Sequence, residues 1–446
     1  MDRETVLLRR IMAGLEERVK AVFEFARQHP QMDMAELEAE VWRVGRDSFA
    51  QVVEGVIESL RVEAGEPGQC ECGGRLRYKG EQKRQQEMLV GTVRWRRGYY
   101  RCQSCGRGRF PLDEALSVTP GQFSEGVQEG VARLGVESSF AEAASDYSAL
   151  TGISISARQA ARITESRGAV LEEQLAKERQ EQLDGQGPTP ASTAPGRTWA
   201  VALDAAKARF DTGWHEVKAG AVFWVEGEPG SVARGEQGGS VRAREQSYIA
   251  QVGSMEEAGA RLYAEVIRRG IDPAVEQLVC LADGAPGIWN QYALHFPLRV
   301  EVLDWYHALE HLWAAGNGVF GEGTDRAKQW VETQEQWLWD GQVEKVMASL
   351  RELAAQPAGS AAQEQIHYFE VNQERMRYSE FRAQGYPIGS GVVESACKRV
   401  VGARLKQSGM CWSQAGAQAV LALRTAKLSN RWDESWSATR PLALAA

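Results

Sequence analysis

Three acidic residues stand where phosphoryl-transfer chemistry could use them. Asp204 closes the apolar run 199–203, Asp283 closes the apolar run 278–282, and Glu394 follows Gly389-Ser-Gly-Val-Val at the start of a helical stretch. An acid at the end of a strand sits on the rim of a sheet, where carboxylate oxygens can hold hard cations such as Mg2+ or Mn2+. Three converging acids suffice for two ions about 4 Å apart, which activate an attacking oxygen and stabilise a leaving one. A single strand-end aspartate is more often a cap or turn residue, so only the set carries the reading. On the long helix expected from about Val392, the residues Val393, Ala396, Cys397, Val400 and Val401 form a buried stripe. Glu394 lies at its edge, one turn before Lys398, where an acid can face the rim.

Four of the seven cysteines form two tight pairs, Cys70-Glu-Cys72-Gly and Cys102-Gln-Ser-Cys105-Gly. This spacing suits a structural zinc, since four thiolates complete a tetrahedron and leave no position for a substrate. Ordinary reduced thiols are the alternative. Between the pairs the chain is basic: residues 73–110 hold eleven Lys or Arg against Glu81 and Glu87, a local +9 in a protein of net charge −8. Arg94, Arg96, Arg97 and Arg101 interleave with Trp95, Tyr99 and Tyr100, a mixture suited to phosphate contact and base stacking. A solvated protein-binding face would show the same composition.

The elements that must position these groups fall into several units, as a chain of 446 residues requires. Residues 1–65 are expected to be helical, and 66–115 to form a zinc ribbon with strands at 89–95 and 99–102. Residues 121–183 are helical again. Within them 140–150, the turn Thr151-Gly-Ile-Ser154 and 156–166 resemble a helix-turn-helix, with Arg158, Gln159 and Arg162 on the second helix. Two packed core helices are an equal reading. A Pro/Gly/Ser/Thr stretch at 184–197 reads as a linker. Beyond it, strands at 199–203, 217–225, 248–252, 278–282 and 300–303 alternate with helices, which indicates a mixed α/β sheet. Residues 306–385 are helical, the closing helix runs to about 430, and a tail occupies 431–446. No apolar run reaches the roughly 18 residues of a membrane span, and the charged start leads into no signal-peptide core, so a cytoplasmic protein is expected.

Several segments occur in one order: Val201-Ala-Leu-Asp204, Trp214-His-Glu-Val-Lys218, Ala282-Asp-Gly-Ala-Pro-Gly-Ile-Trp289 and Asp304-Trp-Tyr-His307-Ala-Leu-Glu-His311. Arg375-Met-Arg-Tyr378, Gly389-Ser-Gly-Val-Val-Glu394-Ser-Ala-Cys-Lys398, Arg404-Leu-Lys-Gln-Ser-Gly-Met410-Cys-Trp412 and Leu421-Ala-Leu-Arg424 continue it. This pattern resembles the bacterial insertion-sequence transposases of the Kra type, relatives of the Mutator-like DDE enzymes. The resemblance implies an RNase H-like catalytic domain over 198–430 with an all-helical insertion at about 306–385. It implies Asp204, Asp283 and Glu394 as ligands of Mg2+ or Mn2+, with Asp304, His307 and Lys398 accessory. Double-stranded DNA, at element ends and target, is the implied partner, bound by a homo-oligomer. Ala205 and Gly287 depart from the pattern, standing where glycine and tryptophan are expected.

Two other readings fit parts of the sequence. His307-Ala-Leu-Glu310-His311 matches the H-x-x-E-H pattern of inverted zinc metallopeptidases, with Glu310 as general base, but needs a further acidic ligand and leaves the three acids unexplained. A zinc-ribbon DNA-binding protein that has lost catalysis is the other.

Overall fold

The computed structural model describes residues 3–60, 69–187, 197–226, 242–389 and 391–440. It divides into two compact units, Met1–Thr164 with Ser437–Ala446, and Glu165–Trp436. The division falls inside a helix, and most of the linker expected at 184–197 lies outside the described residues.

In the first unit, helices α1 (Arg3–Gln28) and α2 (Met34–Leu60) form an antiparallel hairpin. They close where side chains are smallest: Ile11 lies against Gly55, and Gln51 against Gly14. A ribbon follows, of β1 (Leu76–Met88), β2 (Gly91–Cys102) and the short β3 (Gly108–Arg109), in the order β1-β2-β3 and antiparallel throughout. The two strands expected at 89–95 and 99–102 are one continuous strand, β2, with the turn before it, and β1 was not expected. Of the thirteen residues of β1 only Gln86 is buried, so this strand shows no apolar alternation to read. The inner face is supplied by β2, whose Val93 and Trp95 pack with Ala50 and Ile57 of α2 and with Leu112. Leu112 belongs to a short helix, α3 (Pro111–Ala115).

Three further helices, α4 (Glu125–Gly135), α5 (Phe140–Thr151) and the start of α6 (Ala157–Leu183), enclose Val127, Val131, Tyr147, Ile153 and Ile163. The helix ends are fixed as the sequence indicated. Ser139 and Glu142 form a reciprocal capping box, Gly152 takes the left-handed conformation that ends α5, and Ser156 and Gln159 exchange hydrogen bonds at the head of α6. Arg46 of α2 donates to the Thr151 carbonyl and fastens this turn from outside.

The second unit is built on a five-stranded mixed sheet ordered β6-β5-β4-β7-β8. Its strands are β4 (Thr198–Phe210), β5 (Gly213–Glu226), β6 (Arg242–Val252), β7 (Leu278–Ala282) and β8 (Arg299–Leu303). The first three pair antiparallel, whereas β7 and β8 run parallel to β4. The apolar runs explain the order: β7 is buried at every position, as a strand covered on both faces must be. Helix α7 (Met255–Arg268) packs on β5 and β6, and α8 (Pro286–His295) links β7 to β8. Helices α9 (Trp305–Phe320), α10 (Asp325–Trp339), α11 (Val343–Ala354), α12 (Ser360–Asn372) and α13 (Tyr378–Ala383) form the helical block expected after β8.

The closing segment is not the single long helix expected. It is broken into α14 (Gly391–Ala396), a π-helical turn at Cys397–Gly402, the one-turn α15 (Ala403–Leu405), a loop, and α16 (Gln414–Leu428). The break has identifiable causes. Trp412 pairs with the end of β4, its N–H reaching the Arg209 carbonyl at 3.2 Å and its carbonyl accepting from Asp211 at 3.0 Å, which pulls the chain out of helix. The π turn leaves carbonyls that α-helical pairing does not serve, and Arg424 of α16 donates to those of Arg399 and Val400. A last helix, α17 (Trp432–Ala438), occupies part of the expected tail. Among the described residues no helix is long and apolar enough to cross a membrane.

Candidate functional site

The parallel register of β4 and β7 ends at the pair Ala202 and Leu281. Two residues further along, the same register sets Asp204 beside Asp283. Asp204 lies within β4 and is still paired with Ala219 of β5, so its backbone is held from that side after the β7 ladder has stopped. Burial, with the Asp283 charge adding to it, raises the Asp204 carboxyl above the usual range, while hydrogen bonds from the Ala205 N–H and the Cys397 thiol oppose the rise. The Ala205 N–H donates to Oδ1 at 2.6 Å. Asp283 accepts from the Ala285 N–H at 2.9 Å, a turn that precedes α8.

The third strand end adds Asp304. Its N–H donates to the Ala282 carbonyl at 2.9 Å, which ties the head of α9 to the end of β7. The Asp304 carboxylate, only 1% exposed, caps α9 by accepting from the His307 N–H at 2.9 Å and lies 3.0 Å from the ring Nδ1. That hydrogen bond raises the His307 ring to about 9 against the opposing effect of burial, with the Asp304, Glu310 and Asp283 charges helping. Asp304 and His307 thus form a bonded pair braced on the rim.

Sequence reasoning missed Tyr368 of α12. Its hydroxyl donates to the Asp283 carbonyl at 2.8 Å, and its ring occupies the space where a Cβ on Gly284 would stand, 2.6 Å away. Gly284 also has φ +102°, so glycine is required there twice over. His311 stacks on the Tyr368 ring with centroids 3.5 Å apart and bonds Gln365 at 2.6 Å. Nothing in the sequence marks Tyr368, because 85 residues and four helices, α8 to α11, separate it from Asp283. The two histidines of the H-x-x-E-H pattern are therefore engaged with Asp304 and with Gln365 and Tyr368, and among the described residues no third ligand joins them.

Cys397 was expected in a buried stripe, but its Sγ lies 3.4 Å from Asp204 Oδ2. The thiol opens the π turn, which packs on β4 and β5 as α14 does. Glu394 stands on α14, three residues before Cys397, and its side chain lies outside the described residues, as does that of Val393. Lys398 is exposed on the π turn, and Ala396, Val400 and Val401 are buried as expected.

In the first unit the four cysteines come together. Their Sγ atoms all lie within 4.8 Å of one another, with Cys70 to Cys105 at 3.7 Å and Cys72 to Cys102 at 3.5 Å. Zinc–sulfur bonds of about 2.3 Å in a tetrahedron set sulfurs about 3.8 Å apart, so the set fits a metal ion such as zinc. The backbone N–H groups of Cys105 and Ser104 lower the Cys102 thiol to about 6, against burial. Gly74 is a requirement of packing: a Cβ there would meet Cys102 Sγ at 2.7 Å.

The basic residues divide between two faces. Arg94, Arg96 and Arg101 are exposed on β2, and Lys83 is paired across from Arg96. Arg97 instead turns inward to pair with Asp113 and lies 3.6 Å over the Phe110 ring. Arg84 joins Asp113 at 3.9 Å, and Arg109 pairs with Glu114, so part of the local charge counted from the sequence is neutralised by α3. Arg158 and Arg162 are exposed one turn apart on α6.

The model of an uncharacterised protein family, UPF0236, matches residues 27–188, which carry α2, the ribbon and the helices through α6. No curated protein matches the chain.

Proposed function

We propose that the protein is a DNA transposase of the DDE type, which cleaves and joins DNA strands at the ends of an insertion sequence. The observation that carries the reading is the adjacency of Asp204 and Asp283 where the parallel ladder of β4 and β7 stops, with the Cys397 thiol three residues past Glu394 touching Asp204. An RNase H-like core with a helical insertion before its last acid is what the Kra-type resemblance implies. The mixed sheet, and the helices α9–α13 between β8 and α14, support that assignment.

The donor set suits Mg2+ or Mn2+: carboxylate oxygens set side by side on and just past two sheet strands, with burial and the charge of Asp283 acting together on Asp204 until a cation relieves them. Asp204, Asp283 and Glu394 would hold the ions, which when bound activate an attacking oxygen and neutralise charge on phosphate. The rest of the work falls to this chain's own residues. Tyr368 fixes the Asp283 backbone, and Asp304 holds the His307 ring at the rim, where an imidazolium is placed to meet a phosphate. A zinc held by Cys70, Cys72, Cys102 and Cys105 would stiffen the ribbon that carries Arg94, Arg96 and Arg101 to DNA. Arg158 and Arg162 offer a second DNA-contacting face in a helix-turn-helix arrangement. Magnesium-dependent nicking of DNA bearing the element's inverted repeats tests the reading, with Asp204→Asn as the control that must be inactive.

A further inference from the structure

The α1–α2 hairpin leaves much apolar surface uncovered. Leu8, Met12, Val19 and Phe23 on α1 follow spacings of four, seven and four residues, which set them on one face of the helix. They stand apart from Ile11, Gly14 and Arg18, which make the contact with α2. On α2, Trp42, Phe49 and Val56 recur every seven residues, on a side that faces neither Gly55 nor the ribbon-packing Ala50 and Ile57. Counted at 100° per residue from the α1–α2 contact, both stripes rotate to the same side of the antiparallel pair. The contacts Ile11–Gly55 and Gly14–Gln51 fix the register and bring Phe23 level with Trp42. These seven side chains are all at least half exposed, with Phe23 at 65%, Phe49 at 60% and Trp42 at 58%.

A solvated helix hairpin does not keep such a surface bare. The three aromatics, at roughly 150–250 Å2 each when fully bared and exposed here by 58–65%, would alone contribute about 270–460 Å2. With the aliphatic residues beside them the face approaches the roughly 800 Å2 per partner of a stable specific interface. Charge indicates what covers it. Helix α1 carries six Lys or Arg against four Glu, a net +2, whereas α2 carries six acids against two Arg, a net −4. A two-fold axis that lays α1 of one hairpin on α2 of another gives every helix neighbours of opposite charge, and the same patch serves both sides.

We propose that this face docks a second copy of the chain, the two hairpins closing as an antiparallel four-helix bundle that makes the protein a dimer. The bundle puts these seven apolar residues in its core and leaves the ribbon face of α2 as it is. This is independent of the DNA-cleavage reading, because the dimer forms without DNA and would form in an inactive DNA-binding protein as well.

The test is the mass in solution of the full chain by light scattering, without DNA and at micromolar concentration. The unaltered chain should run at twice the chain mass. Phe23→Glu/Phe49→Glu should run at the chain mass, with helicity and bound metal unchanged. The milder Phe23→Gln/Trp42→Gln guards against misfolding and should raise the dimer dissociation constant about tenfold or more. A monomeric unaltered chain overturns the proposal, as does a dimer that survives both variants. An unaltered chain that stays monomeric and floats with phosphatidylglycerol vesicles would assign the face to lipid instead.

Discussion

Asp204 and Asp283 are brought side by side by strand register: β4 and β7 pair in parallel up to Ala202 and Leu281, and two residues later each chain carries its acid, Asp204 within β4, which runs on to Phe210, and Asp283 just past the end of β7. Seventy-nine residues of sequence separate the pair, and the hydrogen-bonding pattern of one sheet removes that distance. The acid on β4 is additionally held through Ala219 of β5, whereas Asp283 sits in the turn just past β7, fixed there by the Ala285 N–H and the Tyr368 hydroxyl.

The link from Tyr368 to Asp283 predicts that Tyr368→Phe keeps the ring under Gly284 but loses a hydrogen bond, at a stability cost of about 0.5–1.5 kcal/mol. Cleavage should slow more than DNA binding weakens, and the Mg2+ concentration for half-maximal rate should rise. Gly284→Ala should be worse on every measure, since the added methyl meets the ring. An unchanged metal dependence in Tyr368→Phe would make the tyrosine a packing residue only.

His307 predicts a pH window. Its ring is raised from 6.5 to about 9 in the folded chain, chiefly by the hydrogen bond to Asp304. The stabilisation this gives is complete below about pH 6.5 and disappears as pH rises through about 9. His307→Asn should therefore lose most stability relative to the unaltered chain at pH 6 and little at pH 9.5, as measured by urea unfolding. A difference that stays constant across the window would show that the ring is not charged in the fold.

The ribbon predicts metal dependence. Cys102→Ser/Cys105→Ser should abolish stoichiometric zinc and loosen the β1–β2 ribbon, while the sheet of the second unit stays folded. Elemental analysis and proteolysis read the two effects separately. One zinc per chain in that variant would remove the assignment.

The two faces of the hairpin predict different outcomes for neighbouring arginines. Arg94→Ala and Arg96→Ala should each flatten the salt dependence of DNA binding by about 0.9 units of slope, with stability nearly unchanged. Arg97→Ala should instead destabilise the ribbon, because it strands Asp113 and uncovers Phe110. Equal slopes and equal stabilities for Arg94→Ala and Arg97→Ala would contradict the division.

What the sequence disclosed follows from where information is local. The cysteine pairs, the capped turn at Gly152 and the apolar run before Asp283 are patterns within a few residues, and each is where expected, whereas the strand expected to stop before Asp204 runs on to Phe210 as one arm of the β4–β5 hairpin. Strand β1 escaped altogether because a strand with one buried residue has no period to detect. The break after Ala396 escaped because its cause is distant: Trp412 pairs with β4, and Arg424 serves the π-turn carbonyls. Arg97 read as an outward cation because the sequence does not show that Asp113 folds back beneath it. The contacts of Tyr368 and Cys397 with the two aspartates are of the same long-range kind.

The central claim is that Asp204, Asp283 and Glu394 form one metal-holding set. Asp204→Asn, Asp283→Asn and Glu394→Gln keep shape and remove one charge each, so the direct measurement is the Mg2+-dependent rate of strand cleavage on element-end DNA. Each variant should be slower by at least about a hundredfold, with DNA affinity nearly intact. The three losses should not add, because the acids act as a unit. Cleavage at the unaltered rate by any one of the three would contradict the set.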